Sequence, residues 1–306
     1  MQASRPFRVR LDAVIVAVTG EVPRLLTIAE PGGEDRLPSG PLDDRDRTLE
    51  LALRRIVQQQ TGIELGYVEQ LYTFGDRGRD PHQRLISVAY LALVRQDRLH
   101  AGEGARWRDG YELFPWEDRR QGAPPLLDQT VSPRLEAWAK GDPAREQRAR
   151  ITFGLGGVPW DGNRVLERYE LLYEIGLVAE RDRDDGADGK TDDAPAARLG
   201  RPLALDHRRM VATALGRLRG KLSYRPVVFE LLPQTFTLSQ LQRVVQALAG
   251  RELHTPNFRR LIDRGRLVVG TGEMTRTGGR PAELFRFRRE VLGERPRPGV
   301  GLPGGR

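Results

Sequence analysis

The chain of 306 residues is long enough for two domains of ordinary size, and its hydrophobic fraction of 39% argues against a wholly disordered protein. It contains no cysteine, which excludes disulfides, cysteine-based zinc sites, iron–sulfur clusters and thiol catalysis. The four histidines are too far apart in sequence to suggest a metal pair. The N-terminal apolar run over 13–18 is too short for a signal peptide, and no run reaches the ~18 residues of a membrane span. We therefore expect a cytoplasmic protein without membrane contact.

The charge is unevenly distributed along the chain. Residues 201–306 contain 21 Lys and Arg against 8 Asp and Glu, a net charge of +13, whereas residues 1–200 have a net charge of −5. Such an asymmetry indicates an anionic polymer, most simply nucleic acid, as the partner of the basic part. The alternative is a solvated arginine-rich surface, because Lys occurs only three times in the whole chain.

The first 140 residues combine predicted strands with one amphipathic helix. Strands are predicted from apolar patterning at 7–30 (a hairpin or strand pair), 67–72 and 85–94. The helix is predicted from the spacing of Leu49, Leu53, Ile56 and Val57, with Gly62 placed to end it. A further helix near 132–140 closes the unit. These elements predict an α+β or α/β sandwich.

Residues 141–202 have weaker periodicity, and we expect an irregular insertion that ends in a flexible linker. A helix is predicted over 164–175. Residues 181–195 are almost entirely Asp, Arg, Gly and Ala, a composition typical of a flexible acidic linker. We therefore divide the chain into a first domain at 1–140, the insertion and linker at 141–202, and a second domain at 203–306.

The second domain is predicted to contain helices followed by a β-hairpin. The predicted helix caps are Asp206, Thr237 and Thr255, and Gly250 and Gly265 end the last two helices. The predicted hairpin has strands at 267–269 and 284–287 around a glycine- and threonine-rich turn at 270–279. Helix, short turn, helix and hairpin in this order are typical of a winged helix-turn-helix domain.

The third helix of this domain has the side chains that read base edges in the major groove. Phe258 and Ile262 form its predicted buried side, which leaves polar residues outward. Arg bonds bidentately to guanine, and Asn does the same to adenine. The hairpin tip suits contact with phosphates or a minor groove. The predicted DNA-binding residues are Thr237, Ser239, Thr255, Asn257, Arg259, Arg260, Arg276, Thr277, Gly279 and Arg280. A module that binds RNA or protein is the alternative.

Two stretches of the chain resemble Nudix-related transcriptional regulators of the NrtR class, or the related NadQ class of NAD-biosynthesis repressors. One is EQLYTFGDRGRDP at 69–81 with the strand at 85–93. The other runs from 206 to 233 and continues with FTLSQLQ at 236–242 and NFRR at 257–260. The length of 141–200 favours the longer NadQ-like variant.

The resemblance implies an α+β protein with a Nudix-like α/β/α sandwich followed by a C-terminal winged helix-turn-helix domain. It implies a ligand-responsive DNA-binding regulator of NAD-related metabolism, acting as a repressor. Such a protein is expected to be a homodimer on an inverted-repeat DNA operator, because two half-sites call for a two-fold protein. The helix over 204–222 is then placed to couple the domains.

The resemblance also allows the Nudix box to be inspected. A working hydrolase has G-x5-E-x7-R-E-U-x-E-E-x-G-U, in which U is apolar and glutamates hold a divalent cation against a pyrophosphate. Aligned on Gly62, the glutamate positions carry Arg47, Ile56, Gln59 and Gln60. A neutral amide cannot replace a carboxylate as a strong Mg²⁺ ligand or base. We predict a retained fold without metal site, catalytic residues or hydrolysis. The alternative is an active pyrophosphatase on ADP-ribose or a related nucleotide, with Glu50 as an out-of-register substitute.

A pocket for an NAD-related nucleotide is the last implication of the resemblance: ADP-ribose in NrtR-like proteins, and NAD or ATP in NadQ-like ones. Arginines bind phosphates bidentately, and aromatic rings stack on adenine. The residues predicted to bind the effector are Arg55, Tyr72, Phe74, Arg77, Arg79 and Arg84. The alternatives are solvated arginines in a turn and aromatic side chains that belong to the core.

Overall fold

The structure of the chain is a computed structural model, which describes residues 7–77, 84–95, 102–184, 198–276, 281–294 and 298–300. The strands are β1 (Arg8–Thr19), β2 (Val22–Ile28), β3 (Ser39–Pro41), β4 (Tyr67–Phe74), β5 (Leu85–Leu93), β6 (Ala105–Asp109), β7 (Val268–Thr275) and β8 (Ala282–Phe287). The helices are α1 (Leu49–Thr61), α2 (Gly110–Leu113), α3 (Ser132–Ala139), α4 (Pro143–Phe153), α5 (Val165–Glu174), α6 (Ala179–Asp184), α7 (His207–Leu222), α8 (Leu238–Ala249), α9 (Thr255–Gly265) and α10 (Val291–Glu294).

The N-terminal sheet is built around the long strand β1. It has the order β4-β5-β1-β2-β6, with β3 paired to β1. β1 pairs parallel with β5 and antiparallel with β2, which confirms the strand pair predicted for 7–30. Gly20 and Glu21 connect β1 to β2, both with positive φ. Two such residues form the tight turn that matches the twist of adjacent strands.

Both faces of β1 are buried, because the strand lies between two cores. Leu11, Ala13 and Ile15 pack with the apolar side of α1. Val14, Val16 and Val18 belong to a larger core on the other face, together with residues of α5, α7 and α8. Successive side chains of a strand point to opposite faces, so one strand supports two layers.

The helix α1 confirms the one predicted from apolar spacing. The Thr48 side chain caps its first turn by accepting a hydrogen bond of 3.2 Å from the Leu51 N–H. Gly62 ends the helix with a φ of 70°, and its N–H donates to the Gln58 carbonyl. This left-handed conformation is one that glycine adopts without steric cost.

The segment 141–202 is not the irregular insertion predicted from its weak periodicity. Its described residues include α4, α5 and α6, of which α5 corresponds to the helix predicted over 164–175. Asp142 caps α4, and Pro143 occupies the first helical turn. The difference arises because tertiary packing, rather than the local sequence pattern, stabilises the segment. The apolar side of α5, for example, is buried against neighbouring helices. Residues 185–197 of the predicted linker lie outside the described residues.

The helix α7 contacts both halves of the chain. It packs against α5 and α8, and its Lys221 pairs with Glu69 of β4. Asp206 precedes it, but the Asp206 side chain forms no capping hydrogen bond, contrary to the prediction. Because α7 contacts both halves, its packing does not locate a domain boundary, and the limits at 140 and 203 remain our proposal. Among the residues that the structure describes, none of the helices combines the length and the hydropathy of a membrane span.

Candidate DNA-binding surface and nucleotide site

The helix α8 begins with the cap predicted at Thr237. The Thr237 hydroxyl accepts a bond of 3.1 Å from the Gln240 N–H, and the Gln240 side chain accepts one of 2.8 Å from the Thr237 N–H. This reciprocal pair satisfies two backbone donors at once. It also buries the Thr237 side chain, which is 4% exposed, so its predicted contact with DNA is wrong. Ser239, in the same turn, is exposed and stays a prediction.

The turn between α8 and α9 is organised by a glutamine that the sequence analysis missed. Gln242 donates through Nε2 to the Leu253 carbonyl (2.7 Å) and to the Thr255 hydroxyl (3.1 Å). Thr255 is the first residue of α9. The capping position is that of His254, whose side chain forms no capping hydrogen bond. The cap predicted at Thr255 is therefore one residue late. Pro256 occupies the first turn of the helix, where its missing N–H costs no hydrogen bond.

The exposed face of α9 presents the residues predicted to read DNA. Phe258 and Ile262 are fully buried, which fixes the rotation of the helix on the domain. Asn257, Arg259 and Arg260 are exposed on the opposite side. Arg260 donates from Nη2 to the Asn257 Oδ1 over 2.9 Å, so these two side chains, both predicted to read bases, lie next to each other. α9 ends at Gly265, as predicted, but the left-handed capping conformation falls on the next residue, Arg266, with a φ of 44°.

The hairpin forms a wing beside α9, with longer strands than predicted. β7 and β8 are antiparallel, and Phe236 adds a short third strand by exchanging backbone hydrogen bonds of 2.9 and 2.8 Å with Phe285. This pairing anchors the wing to the start of α8. Arg276 is exposed where β7 ends. The other predicted tip residues, Thr277, Gly279 and Arg280, lie outside the described residues.

Three of the four residues that align with the glutamates of the Nudix box, Ile56, Gln59 and Gln60, lie on α1, and none of the four has a carboxylate to hold a divalent cation. Ile56 is buried in the core, and Arg47 and Gln59 are exposed. Gln60 bonds both backbone groups of Ser39: its Oε1 accepts from the N–H over 3.0 Å, and its Nε2 donates to the carbonyl over 2.8 Å. Among the described residues there is no cluster of three or more carboxylate or imidazole ligands.

Arg55 lies on the outer side of α1 and is held by its neighbours. It donates to both oxygens of Asp46, over 3.0 Å from Nε and 2.6 Å from Nη2, and to Gln59 over 3.2 Å. The hydrogen bond from Arg55 holds the pKa of the Asp46 carboxyl below its usual range. A phosphate that bound Arg55 would have to compete with this carboxylate.

The remaining effector residues lie on or after β4. Tyr72 is 60% exposed, whereas Phe74 is 6% exposed and belongs to the larger core. The rings meet edge to face with centroids 5.3 Å apart. Phe74 therefore supports Tyr72 and cannot itself stack on a base, which corrects its predicted role. Arg77 is exposed, Arg84 is half-buried with its guanidinium 5.7 Å from the Phe7 ring, and Arg79 lies outside the described residues.

A buried charged cluster, missed by sequence reasoning, joins the two halves of the chain. Glu117 is buried and accepts from Arg168 over 2.5 and 3.0 Å, and it also pairs with Arg219 of α7. Burial by itself raises the pKa of Glu117, but the two guanidinium groups outweigh it and hold the pKa below the usual range. Arg219 donates further to the Leu248 carbonyl of α8 over 2.8 Å. One carboxylate thus ties α5, α7 and α8 together.

Comparison with known proteins identifies the family. Residues 228–287 match the family described as the NrtR DNA-binding winged helix domain. The chain is 35% identical over 256 residues to a protein of Acinetobacter baylyi named ADPR responsive transcriptional repressor NtrR. The matched region covers 82% of this chain and 68% of that protein. The chain belongs to the NrtR family of transcriptional regulators. The matched residues of this NrtR-family member include α8, α9 and both strands of the wing.

Solved structures support the same fold over almost the whole NrtR-family chain. Shewanella oneidensis NrtR complexed with a 27mer DNA has a TM-score of 0.56 at 21% identity, covering 93% of this chain and 95% of that one. A MutT/nudix family protein from Enterococcus faecalis has a TM-score of 0.53 at 16% identity, covering 94% and 89%. The N-terminal half therefore has the expected Nudix-like fold, followed by the winged helix domain.

Proposed function

We propose that this NrtR-family protein is a transcriptional repressor that binds an operator through α9 and the wing and is controlled by ADP-ribose. The observation that carries the proposal is the exposed Asn257, Arg259 and Arg260 face of α9, with its orientation fixed by buried Phe258 and Ile262. These side chains have the donors and acceptors that distinguish guanine and adenine in the major groove. The net charge of +13 over 201–306 supplies non-specific attraction to the phosphate backbone.

ADP-ribose is our first choice of effector because the Acinetobacter baylyi relative is named for its response to it. NAD and ATP are the other nucleotides that the proposal admits. We propose that Tyr72 stacks on the adenine and that Arg77, Arg79 and Arg84 bind the phosphates. Arg55 joins them only if the nucleotide displaces Asp46, since the Nε–Nη2 edge of the guanidinium already faces that carboxylate and Nη1 bonds Gln59.

We further propose that the protein acts as a homodimer on an inverted repeat in genes of NAD metabolism. A two-fold dimer places two recognition helices one helical turn of DNA apart, about 34–36 Å. A ligand shifts such a dimer only if it binds one arrangement of the two winged helices better than the other. The contacts of α7 with β4, α5 and α8 support this helix as the route by which the effector acts.

The proposal includes the absence of pyrophosphatase activity. The glutamate positions of the box hold Arg47, Ile56, Gln59 and Gln60, and Gln60 is committed to the Ser39 backbone. Incubation of the protein with ADP-ribose and Mg²⁺, followed by chromatography of the nucleotides, is expected to leave ADP-ribose intact. AMP and ribose phosphate released at enzyme-like turnover would show that the protein is a hydrolase with a DNA-binding domain.

A mobility-shift titration with the duplex upstream of the protein's own gene tests the proposal. We expect a discrete complex that a scrambled duplex of equal length does not compete away, and we expect ADP-ribose to change its apparent Kd. An ADP-ribose analogue without the adenine is the matched control for stacking on Tyr72. Equal affinity for both duplexes, or for single-stranded RNA, would contradict the proposal.

A further inference from the structure

One side chain of α8 reaches across the turn that leads into α9. It belongs to Gln242, which is 9% exposed and is flanked in the sequence of the helix by the core residues Leu241 and Val244. Among the residues that the structure describes, no other glutamine or asparagine is buried. Burying an amide costs free energy unless its polar atoms find hydrogen-bond partners. The position of Gln242 therefore calls for partners inside the winged domain.

The partners of the Gln242 amide are two groups at the start of α9. Its Nε2 donates to the Leu253 carbonyl over 2.7 Å and to the Thr255 hydroxyl over 3.1 Å. A primary amide has two N–H donors, and these two bonds use both of them. The acceptors lie on either side of His254, the residue at the capping position of α9. Gln242 therefore fastens the middle of α8 to the first turn of α9.

The first turn of α9 depends on this glutamine because its own residues offer little to hold it. The His254 side chain makes no capping hydrogen bond, and Pro256 has no N–H to donate. Phe258 and Ile262 are buried and fix the rotation of α9 about its axis, but they lie further along the helix. Gln242 is thus placed to determine where the first residues of α9 lie on the domain.

We propose that Gln242 is a positioning residue for DNA recognition and that it acts through Thr255; this rests on the function proposed above for α9. A hydroxyl offers one hydrogen and two acceptor sites. Because the Thr255 oxygen accepts from Gln242, its hydrogen is left to point away from the amide. Thr255 is exposed, and its hydroxyl donates to no residue that the structure describes. A DNA phosphate oxygen is the acceptor that this hydrogen suits, since threonine hydroxyls are among the groups that contact the DNA backbone.

A backbone contact at Thr255 fixes how the reading face of α9 meets the bases. Asn257 and Arg259 follow Thr255 by two and four residues, which is about 3 and 6 Å along the helix axis. Contacts with phosphates carry no sequence information themselves, but they fix the register and orientation of a protein on the duplex. Loss of this contact is therefore expected to weaken specific binding. Attraction between the basic domain and the phosphates, which depends on charge and not on sequence, should remain.

A double-mutant cycle measured by fluorescence anisotropy tests the proposal, with the upstream duplex and a scrambled duplex at ~150 mM NaCl. Gln242→Met removes both donors but keeps the length of the side chain, and Thr255→Val removes the hydroxyl but keeps the shape. We expect each substitution to raise the Kd for the upstream duplex by about tenfold. The double variant should show the same increase as either single one, because Gln242 acts through Thr255. The Kd for the scrambled duplex should change by less than about twofold.

Matched variants separate positioning from general damage to the winged domain. Gln246→Met makes the same change one turn further along α8, at a half-buried side chain, and is expected to bind both duplexes as the unchanged protein does. Thr255→Ser keeps the hydroxyl and should also bind normally. Gln242→Glu keeps the shape but accepts the Thr255 hydrogen instead of donating, so it should weaken specific binding at least as much as Gln242→Met. Melting temperatures establish that each variant is folded, and if Gln242→Met is not, Gln242→Glu decides.

The results distinguish a failure of this inference from a failure of the proposed function. Equal affinity of the unchanged protein for the two duplexes would contradict both. Normal discrimination by the folded Gln242 variants, when the unchanged protein prefers the upstream duplex, would overturn the inference alone. So would losses in Gln242→Met and Thr255→Val that multiply in the double variant, since independent effects would show that Gln242 does not act through Thr255.

Discussion

His207, the first residue of α7, faces Asp12 of β1 in the buried interior, with Nε2 3.3 Å from Oδ1. Both side chains are fully buried. The Nδ1 atom of His207 accepts a hydrogen bond of 3.1 Å from the Leu37 N–H, so the ring N–H is on Nε2, the nitrogen nearer to the Asp12 carboxylate. The pair attaches the start of the helix that leads to the winged domain to the central strand of the sheet.

Replacing His207 by Ala is expected to lower the free energy of unfolding by ~3–5 kcal/mol, because the buried Asp12 carboxylate loses one of its two ion-pair partners and keeps only Arg10, with Nε 3.5 Å from Oδ1. His254→Ala removes the same side chain at an exposed position of the winged domain and is expected to change stability little. Chemical denaturation of both variants measures the difference. Similar, small effects of the two substitutions would show that the Asp12 pair does not attach α7.

The Glu117 cluster gives a second stability prediction. Glu117→Gln keeps the shape of the side chain but removes the charge that Arg168 and Arg219 share, so we expect a loss of ~3–5 kcal/mol in the free energy of unfolding. Glu112→Gln, at an exposed position of α2, is the control and should be nearly neutral. A Glu117→Gln protein as stable as the unchanged chain would contradict a structural role for the cluster.

Acidification offers an independent check on the same carboxylate. The folded state lowers the pKa of Glu117 below its ordinary 4.5, so its contribution is fully present above that pH and is lost as the pH falls through the folded-state value. The difference in melting temperature between the unchanged protein and Glu117→Gln should therefore shrink below about pH 4.5. A difference that stays constant from neutral pH into this range would show that the charge of Glu117 is not what stabilises the fold.

Gln60 tests whether the altered Nudix box has a structural use. Gln60→Glu removes the donor to the Ser39 carbonyl and places a carboxylate there, which we expect to cost ~1–3 kcal/mol of stability. Gln59→Glu makes the same chemical change at the adjacent exposed position and retains an acceptor for Arg55, so it should be neutral. Thermal unfolding of the two variants in the presence of EDTA measures this without any metal. Equal stability of both would remove the structural explanation for Gln60.

Features that depend on residues close together in sequence could be predicted, whereas features that depend on residues far apart in sequence could not. α1 and α8 were predictable because apolar spacing, Gly62, Gly250 and Thr237 act within a few residues. The Glu117 cluster was not, since Arg168 and Arg219 lie 51 and 102 residues away in a chain rich in arginine. Local pattern cannot select which arginine is buried.

The same distinction between local pattern and long-range packing applies to the residues of the candidate site. The polar face of α9 follows from helical periodicity alone, whereas the burial of Phe74 depends on packing against distant elements. Weak local periodicity also concealed α4 and α6, since packing against neighbouring elements supports helices that local propensity does not.

The measurement that tests the central claim most directly is the ratio of the Kd for a scrambled duplex to the Kd for the upstream duplex, determined by fluorescence anisotropy at fixed salt. For a protein that reads DNA through α9, we expect this ratio to fall in Arg259→Ala/Arg260→Ala. The fall should correspond to a loss of ~1–3 kcal/mol of binding free energy for each true base contact. The control Arg134→Ala/Arg145→Ala removes two exposed arginines outside the winged domain and should leave the ratio unchanged. An unchanged ratio in the α9 variant would contradict the account.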